Sequence, residues 1–180
     1  MWSWIPKYRL AVIATAVLIS GCASLSPEEC RTVQWHEQGM RDGQNGHPRA
    51  RADQHREACG KVGVALDMQQ YEAGRAIGIR RYCTPENGLQ AGRLGRSYQN
   101  SCPPELEGPF LDNYRSGYRV YEAQQYVERL DRELSSKEYS LRKAKDDRER
   151  SRLRSDLRDL DRRLRHARDD VYQAERRLRN

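Results

Sequence analysis

The residues able to do chemistry are few: five cysteines, four histidines and scattered carboxylates in a chain of 180 residues. Cys22 stands alone behind an apolar run, whereas Cys30, Cys59, Cys83 and Cys102 are spread through the middle. No Cys-x2-Cys pair occurs and the spacings fit no zinc ribbon, so no metal site is expected from them. His36, His47, His55 and His166 make neither a His-x3-His nor an HExxH pattern, and His36 and His55 read as surface residues. "RDGQNG" (41–46) has turn chemistry but lacks the oxygen-ligand series and the closing Glu of a calcium loop. There is no Gly-x-Ser-x-Gly, and Ser20 and Ser24 merely flank Cys22. No catalytic constellation is present, so no enzyme activity, metal or cofactor is expected. The chemistry left to the thiols is acylation and disulfide formation.

The segment before Cys22 decides between the two. "MWSWIPKYR" is basic through Lys7 and Arg9, and "LAVIATAVLI" is an uninterrupted apolar stretch. As a helix that stretch is about 15 Å long, roughly half of a bilayer core. Residues 1–21 therefore read as a signal peptide and not as a membrane span. Ile19-Ser20-Gly21-Cys22 resembles the bacterial lipobox. That resemblance implies cleavage before Cys22 and acylation (palmitate among the chains) of its sulfur and new amino group. Each buried methylene of such chains contributes about 0.8 kcal/mol to anchoring. Ala23 rather than Asp follows Cys22, which by resemblance to sorting in two-membrane bacteria implies the outer membrane, facing the periplasm. In that oxidising space the other four cysteines are expected to form two disulfides, with three pairings open.

The elements that must hold those cysteines fall into two compositional regions. Residues 22–108 carry the four remaining cysteines and nearly all the glycines; residues 109–180 carry only Gly117 and are rich in Arg, Asp, Glu and Leu. An all-α chain is expected: a small, disulfide-stapled, Gly-rich helical head, then a long C-terminal coiled-coil helix. Within the head, "YEAGRAIGIRRYCTPENG" (71–88) followed by "LQAGRLGRSYQNSCPPELEG" (89–108) reads as a loose repeat, echoed by "WHEQGMRDGQNG" (35–46) and "YRSGYRVY" (114–121). Gly74 and Gly78 share a helix face and would let a neighbouring backbone or ring approach; Gly92 and Gly95 suit a turn nearly as well. Asp67 is placed as an N-cap, and Thr84-Pro85 as the stop of that helix. A second short helix is expected over 50–59. If it forms an αα-hairpin with the segment after Cys30, Cys30 meets Cys59, which favours 30–59 with 83–102 among the three pairings.

These motifs occur in a recognisable order: Cys30, Trp35-x3-Gly39-x2-Asp42-Gly43-x2-Gly46, "HREAC", Tyr71-x2-Gly74-x3-Gly78, "YCTPENG", Gly92-x2-Gly95-x2-Tyr98, "CPPELE" and Phe110-x3-Tyr114-x2-Gly117. Over roughly residues 28–120 the chain resembles the DUF2799 family of bacterial lipoproteins. The resemblance implies a secreted, lipid-anchored protein and no particular activity.

The tail reads as a pairing device. Leu153, Leu157, Leu160, Leu164, Ala167, Val171, Ala174 and Leu178 alternate at spacings of four and three, a heptad seam. In a parallel self-pair the flanks set Asp156 against Asp161, Arg163 against Arg168 and Asp170 against Glu175. Antiparallel, Asp156 meets Arg177, Arg163 meets Asp170, Arg154 meets Glu175 and Asp161 meets Arg168. Each exposed pair is worth only about 0.2–1 kcal/mol, but the signs favour antiparallel pairing, with a second copy or an upstream helix. Upstream, Val120, Ala123, Val127, Leu130, Leu134, Leu141 and Ala144 form another seam, interrupted by Lys137. A hairpin with Leu141 opposite Leu160 would set Glu133 near Asp170 and Glu138 near Asp161, and no Gly or Pro marks a turn. One long helix is therefore expected over a hairpin.

With a net charge of +7 and an Arg-rich tail, nucleic acid is one reading. Alternating charges, the lack of interleaved aromatics and the extracytoplasmic address argue against it. An anionic envelope polymer suits the compartment better, and the solvated flank of a coiled coil suits the pattern best. The expected function is a structural or adaptor lipoprotein of the outer membrane, working through its coiled coil. A periplasmic lipoprotein binding a cell-wall or envelope component in its head is the alternative, and an envelope enzyme the weakest reading.

Overall fold

A computed structural model describes residues 24–179. The signal-peptide segment and Cys22 lie outside the described residues. Within them all regular structure is helical: α1 Pro27–Thr32, α2 Trp35–Gln44, α3 Arg51–Gly60, α4 Met68–Tyr82, α5 Pro85–Arg93, α6 Pro104–Lys143 and α7 Asp147–Arg179. Local chemistry sets several of these bounds. Ser26 and Glu29 close a capping box on α1. Asp67 accepts the Gln70 N–H at 2.9 Å to start α4. Thr84 does not only end α4; it caps α5 by accepting the Asn87 N–H at 3.2 Å, with Pro85 in the first turn.

The repeat is real but its phase differs from the one the sequence suggests. Segment 71–88 does not match 89–108; instead 35–46 matches 84–95, and 71–82 matches 110–121. Gly39, Gly43 and Gly46 have the spacing of Gly88, Gly92 and Gly95, and Tyr71, Gly78 and Tyr82 that of Phe110, Gly117 and Tyr121. The packing repeats as well. Gly39 and Gly43 of α2 lie against the backbone of Tyr71 and Arg75 in α4, while Gly74 and Gly78 receive the backbone of His36 and Met40. In the second unit Gly88 and Gly92 of α5 lie against Phe110 and Tyr114 in α6, and Gly117 receives Leu89. Each unit is thus a pair of helices in backbone contact, an approach that only small residues allow. Each first helix then ends in a left-handed glycine, Gly46 (φ 70°) or Gly95 (φ 64°), with a Tyr ring, Tyr82 or Tyr121, where a Cβ would stand. The sequence reading of Gly92 and Gly95 as one turn is half right: Gly92 is a packing residue and Gly95 the turn.

Each unit carries one disulfide. Cys30 is bonded to Cys59, with Cα atoms 5.2 Å apart, and Cys83 to Cys102, with Cα atoms 5.7 Å apart. Both tie the segment ahead of the first helix to the linker ahead of the second. The apolar cores are correspondingly small. One gathers Leu25, Trp35, Ala52 and Tyr71 around the first disulfide; the other gathers Ile79, Ala91 and Phe110 around the second. Ile79 and the Tyr82 ring, 5.2 Å from Phe110, belong to the first unit but pack in the core of the second, so the units share a wall. With cores this limited the staples carry much of the stability. Reduction of the folded protein is expected to cost about 2–4 kcal/mol per bridge, seen as a lower thermal midpoint by circular dichroism in reductant. An unchanged midpoint in a fully reduced sample would contradict this.

The expectation of one long tail helix is corrected. α6 and α7 fold back as an antiparallel hairpin. The reversal needs no Gly or Pro: Ala144 adopts an extended conformation (ψ 130°), and the Asp146 carboxylate accepts the Arg148 N–H at 3.2 Å. α6 begins ahead of residue 109, and its first half packs on α5. Head and arm therefore share one helix of 40 residues.

Candidate functional site

Two arrangements stand out, a polar network inside the head and the hairpin arm. The network starts from α2, where Gln38 and Asp42, one turn apart, both face inward. α3 brings His55 and α4 brings Tyr71, each with no exposed surface. Asp42 Oδ2 accepts from His55 Nε2 at 2.7 Å and from the Tyr71 hydroxyl at 2.8 Å; Oδ1 accepts from Gln38 Nε2 at 3.0 Å. Arg41, outside, donates to Gln38 Oε1 at 2.7 Å. Since Asp42 can only accept, His55 donates from Nε2, and its Nδ1 has no partner among the described residues. Trp35 and Tyr71 flank the imidazole, with ring centroids 6.4 and 5.8 Å away.

Burial pushes the Asp42 carboxyl up, but the hydrogen bonds from His55 and Tyr71, with the charges of His55 and His47, outweigh it and hold the group below the usual Asp value. Burial first, then the bond to Asp42, push the Tyr71 hydroxyl well above its ordinary value. A depressed carboxyl stabilises the fold at pH above its unfolded-state value, and that contribution is lost as pH falls through the folded-state value. Stability is therefore expected to drop on acidification below about pH 4, and Asp42→Asn to flatten that acid limb. An acid limb unchanged by Asp42→Asn, in urea titrations at stepped pH, would contradict the assignment.

An Asp–His–Tyr cluster resembles a catalytic relay, yet the imidazole has no exposed surface, and its Nδ1 meets no hydrogen-bond partner among the described residues. The second unit shows what the network is for. At the position of Asp42 stands Ala91, and at that of Tyr71 stands Phe110, so the carboxylate and the hydroxyl are lost together. Tyr98 packs on Phe110 at 5.1 Å, much as His55 packs on Tyr71. Its hydroxyl looks outward, accepting from the Cys102 N–H at 3.0 Å and donating to Glu107 at 2.9 Å. Burial first, with Glu107 adding, leaves that phenol pushed up to about 12. One unit has a polar core, the other an apolar one, on the same backbone plan.

The reading of His55 as a surface residue is thus corrected. The missed signal was spacing: His55 lies one helical turn before Cys59, so a buried Cys59 brings His55 inward with it. His36 and His47 are half-buried and His166 is exposed. Among the described residues no group of three or more His, Cys, Asp or Glu is placed to hold a metal ion.

In the arm, Leu153, Leu160, Leu164 and Ala167 are buried, and Leu157, Val171, Ala174 and Leu178 are half-buried. Leu130 of α6 packs among Leu160, Leu164 and Ala167, with Val127 and Leu134 beside it. The register differs from the hairpin considered from sequence. Lys137, which seemed to interrupt the α6 seam, pairs with Asp156 at 2.7 Å, and Asp131 with Arg168 at 3.5 Å. Leu141, one turn beyond Lys137, therefore faces the Leu153 end of α7 and not Leu160. This slides the seam by about one heptad and removes the predicted acid–acid clashes. Near the head Arg93 reaches Glu175 at 3.9 Å. Leu160→Asp is expected to detach α7, seen as a loss of helical signal and of hydrogen-exchange protection in 147–179, with α2 and α4 still protected. Retained protection in α7 would contradict the seam.

No helix among the described residues is long and apolar enough to cross a membrane. Neither a curated protein nor a solved structure matches the chain. The family model that does match covers residues 34–119, from the N-cap of α2 to two residues past Gly117 in α6. It thus brackets both helix-pair units and leaves out the hairpin beyond. On that match the head of this chain belongs to DUF2799, a family described as a protein of unknown function.

Proposed function

We propose that the protein is a structural or adaptor lipoprotein of the outer membrane, held by acylated Cys22 with the head and arm facing the periplasm. The observation that supports this most is the continuity of α6. Because α6 is both the last packing helix of the head and the first of the arm, the arm cannot swing as it would on a linker. It projects at a fixed angle; the last turns of α7 lie back beside the head, where Arg93 meets Glu175, so the projecting part is α6 beyond Tyr121 with the facing part of α7, about 33 Å long. The seam is satisfied within the chain, so the arm's contribution to a partner is its outer, charged face, where Tyr139 and Tyr172 are also exposed. The alternative of a ligand held by the glycine and aromatic surfaces of the head has less support. Those glycines are covered by facing helices, and Tyr82, Phe110, Tyr114 and Tyr118 pack on one another.

The test combines anchoring and contact in intact cells. The wild-type protein is expected in the outer-membrane fraction, and Cys22→Ala, which can be neither acylated nor processed at that site, is expected to be lost from it. A photo-crosslinking residue at Tyr139 or Arg158 is expected to give a discrete adduct with an envelope component, and one at buried Leu160 none beyond the chain itself. Retention of Cys22→Ala in the outer-membrane fraction, or no adduct from any outer-face position, would overturn the proposal.

A further inference from the structure

Building on the acylation of Cys22 proposed above, we infer that the head lies directly on the lipid surface, with the loop between α3 and α4 as its contact. The fold begins almost at once after the anchor. The Ser24 hydroxyl is already shut off from solvent, Leu25 is 8% exposed within the core of the first unit, and Ser26 caps α1. Two residues carry the chain from Cys22 to Ser24, a reach of at most about 7 Å. No length of chain is left to act as a tether, so an acylated Cys22 brings the first unit against the bilayer.

The part of that unit beside the anchor is traced through its bonds. The Cys30 N–H donates to the Ser26 carbonyl at 3.0 Å, and Cys30 is bonded to Cys59. The Cys59 carbonyl in turn accepts from the N–H groups of Val62 at 3.1 Å and Val64 at 3.0 Å. The loop over 61–67 is therefore pinned beside the start of α1. Between Lys61 and Asp67 it carries only Val62, Gly63, Val64, Ala65 and Leu66, of which Gly63 and Ala65 are exposed and the rest half-buried. Its flanking charges are engaged: Lys61 reaches Glu57 at 3.0 Å, and Asp67 caps α4. The linker leading to the second helix of the other unit is polar, with Arg96, Ser97, Gln99 and Asn100 exposed. Two units on one plan thus differ in this loop, and the apolar version belongs to the unit next to the anchor. Apolar surface left in water is unfavourable; at the boundary of headgroups and acyl chains it is covered. The anchor makes that contact intramolecular, so a small patch suffices.

The test uses the full mature lipoprotein in vesicles of phosphatidylethanolamine and phosphatidylglycerol, with bromine on the acyl chains just below the headgroups. Ala65→Trp and Lys61→Trp each put an indole at an exposed position of the loop, and Leu94→Trp puts one on the exposed surface of the second unit. The unsubstituted protein, whose only tryptophan beyond residue 21 is Trp35, sets the baseline. Mass spectrometry of the amino-terminal peptide reports acylation in the same samples. Both loop indoles are expected to lose most of their added emission to the brominated lipid, and to do so equally at about tenfold higher salt, because the contact is apolar and not screened. Leu94→Trp is expected to keep its emission. Acylated protein whose loop indoles are quenched no more than Leu94→Trp, or whose quenching disappears in salt, would overturn the docked head and leave the anchor standing. An unacylated amino terminus would overturn the anchor, and the docked head with it.

Discussion

Gly74→Ala is expected to unfold the first helix pair. A methyl there would lie inside the van der Waals radius of the His36 carbonyl group, 2.7 Å from its carbon and 3.0 Å from the Met40 nitrogen. These neighbours are helix backbone and cannot rotate away as a side chain would. α2 and α4 would have to part, giving up Tyr71, Trp35 and the network around Asp42. Overpacking usually costs about 1–3 kcal/mol, and this case should exceed that range because the whole interface moves. Gly43→Ala, which would set a methyl 2.6 Å from the Arg75 carbonyl oxygen, should behave alike. The control is Gly108→Ala in α6. Nothing lies within 4 Å of its missing Cβ, so the change should be neutral or stabilising by up to about 1 kcal/mol. Urea unfolding of the three variants decides the matter; a Gly74→Ala protein as stable as the Gly108→Ala one would refute backbone-to-backbone packing.

Asp42→Ala is the second large effect. It leaves the Tyr71 hydroxyl and the His55 Nε2–H buried without an acceptor, and breaking such a buried cluster costs about 3–5 kcal/mol. The second unit supplies the compensating change, because Ala91 is matched there by Phe110. Asp42→Ala with Tyr71→Phe should therefore recover about 1–3 kcal/mol relative to Asp42→Ala alone, by removing one orphaned donor. Tyr71→Phe in the wild-type background should instead destabilise. That change of sign is a double-mutant cycle, and additive effects would show that the hydroxyl and carboxylate do not act as a unit.

Much of this build was legible in the residues. Asp67 and Thr84-Pro85 marked helix boundaries because capping is local chemistry. The alternation of Leu153 through Leu178 marked the buried stripe of α7. The phase of the repeat was not legible, because Ala-Gly-Arg occurs in both α4 and α5, which are opposite halves of successive units; only the facing helix distinguishes them. The hairpin was hidden for two reasons. Its turn uses Ala144 and Asp146 in place of a helix breaker, and Lys137 reads as a flaw in the seam until Asp156 stands opposite. His55 was misread because a histidine in a polar segment carries no sign of burial unless its neighbour Cys59 is already placed.

The arm's form matters most for the functional account, since a seam closed within the chain leaves its outer face for a partner, whereas an open seam would recruit a second copy. The most direct measurement places a photo-crosslinking residue at Leu134 and mixes isotopically heavy and light chains before irradiation. A hairpin predicts adducts between Leu134 and the α7 segment around Leu160 in which both peptides carry the same label. Mixed heavy–light adducts as the main product would show that α7 pairs with another copy, contrary to a self-contained arm.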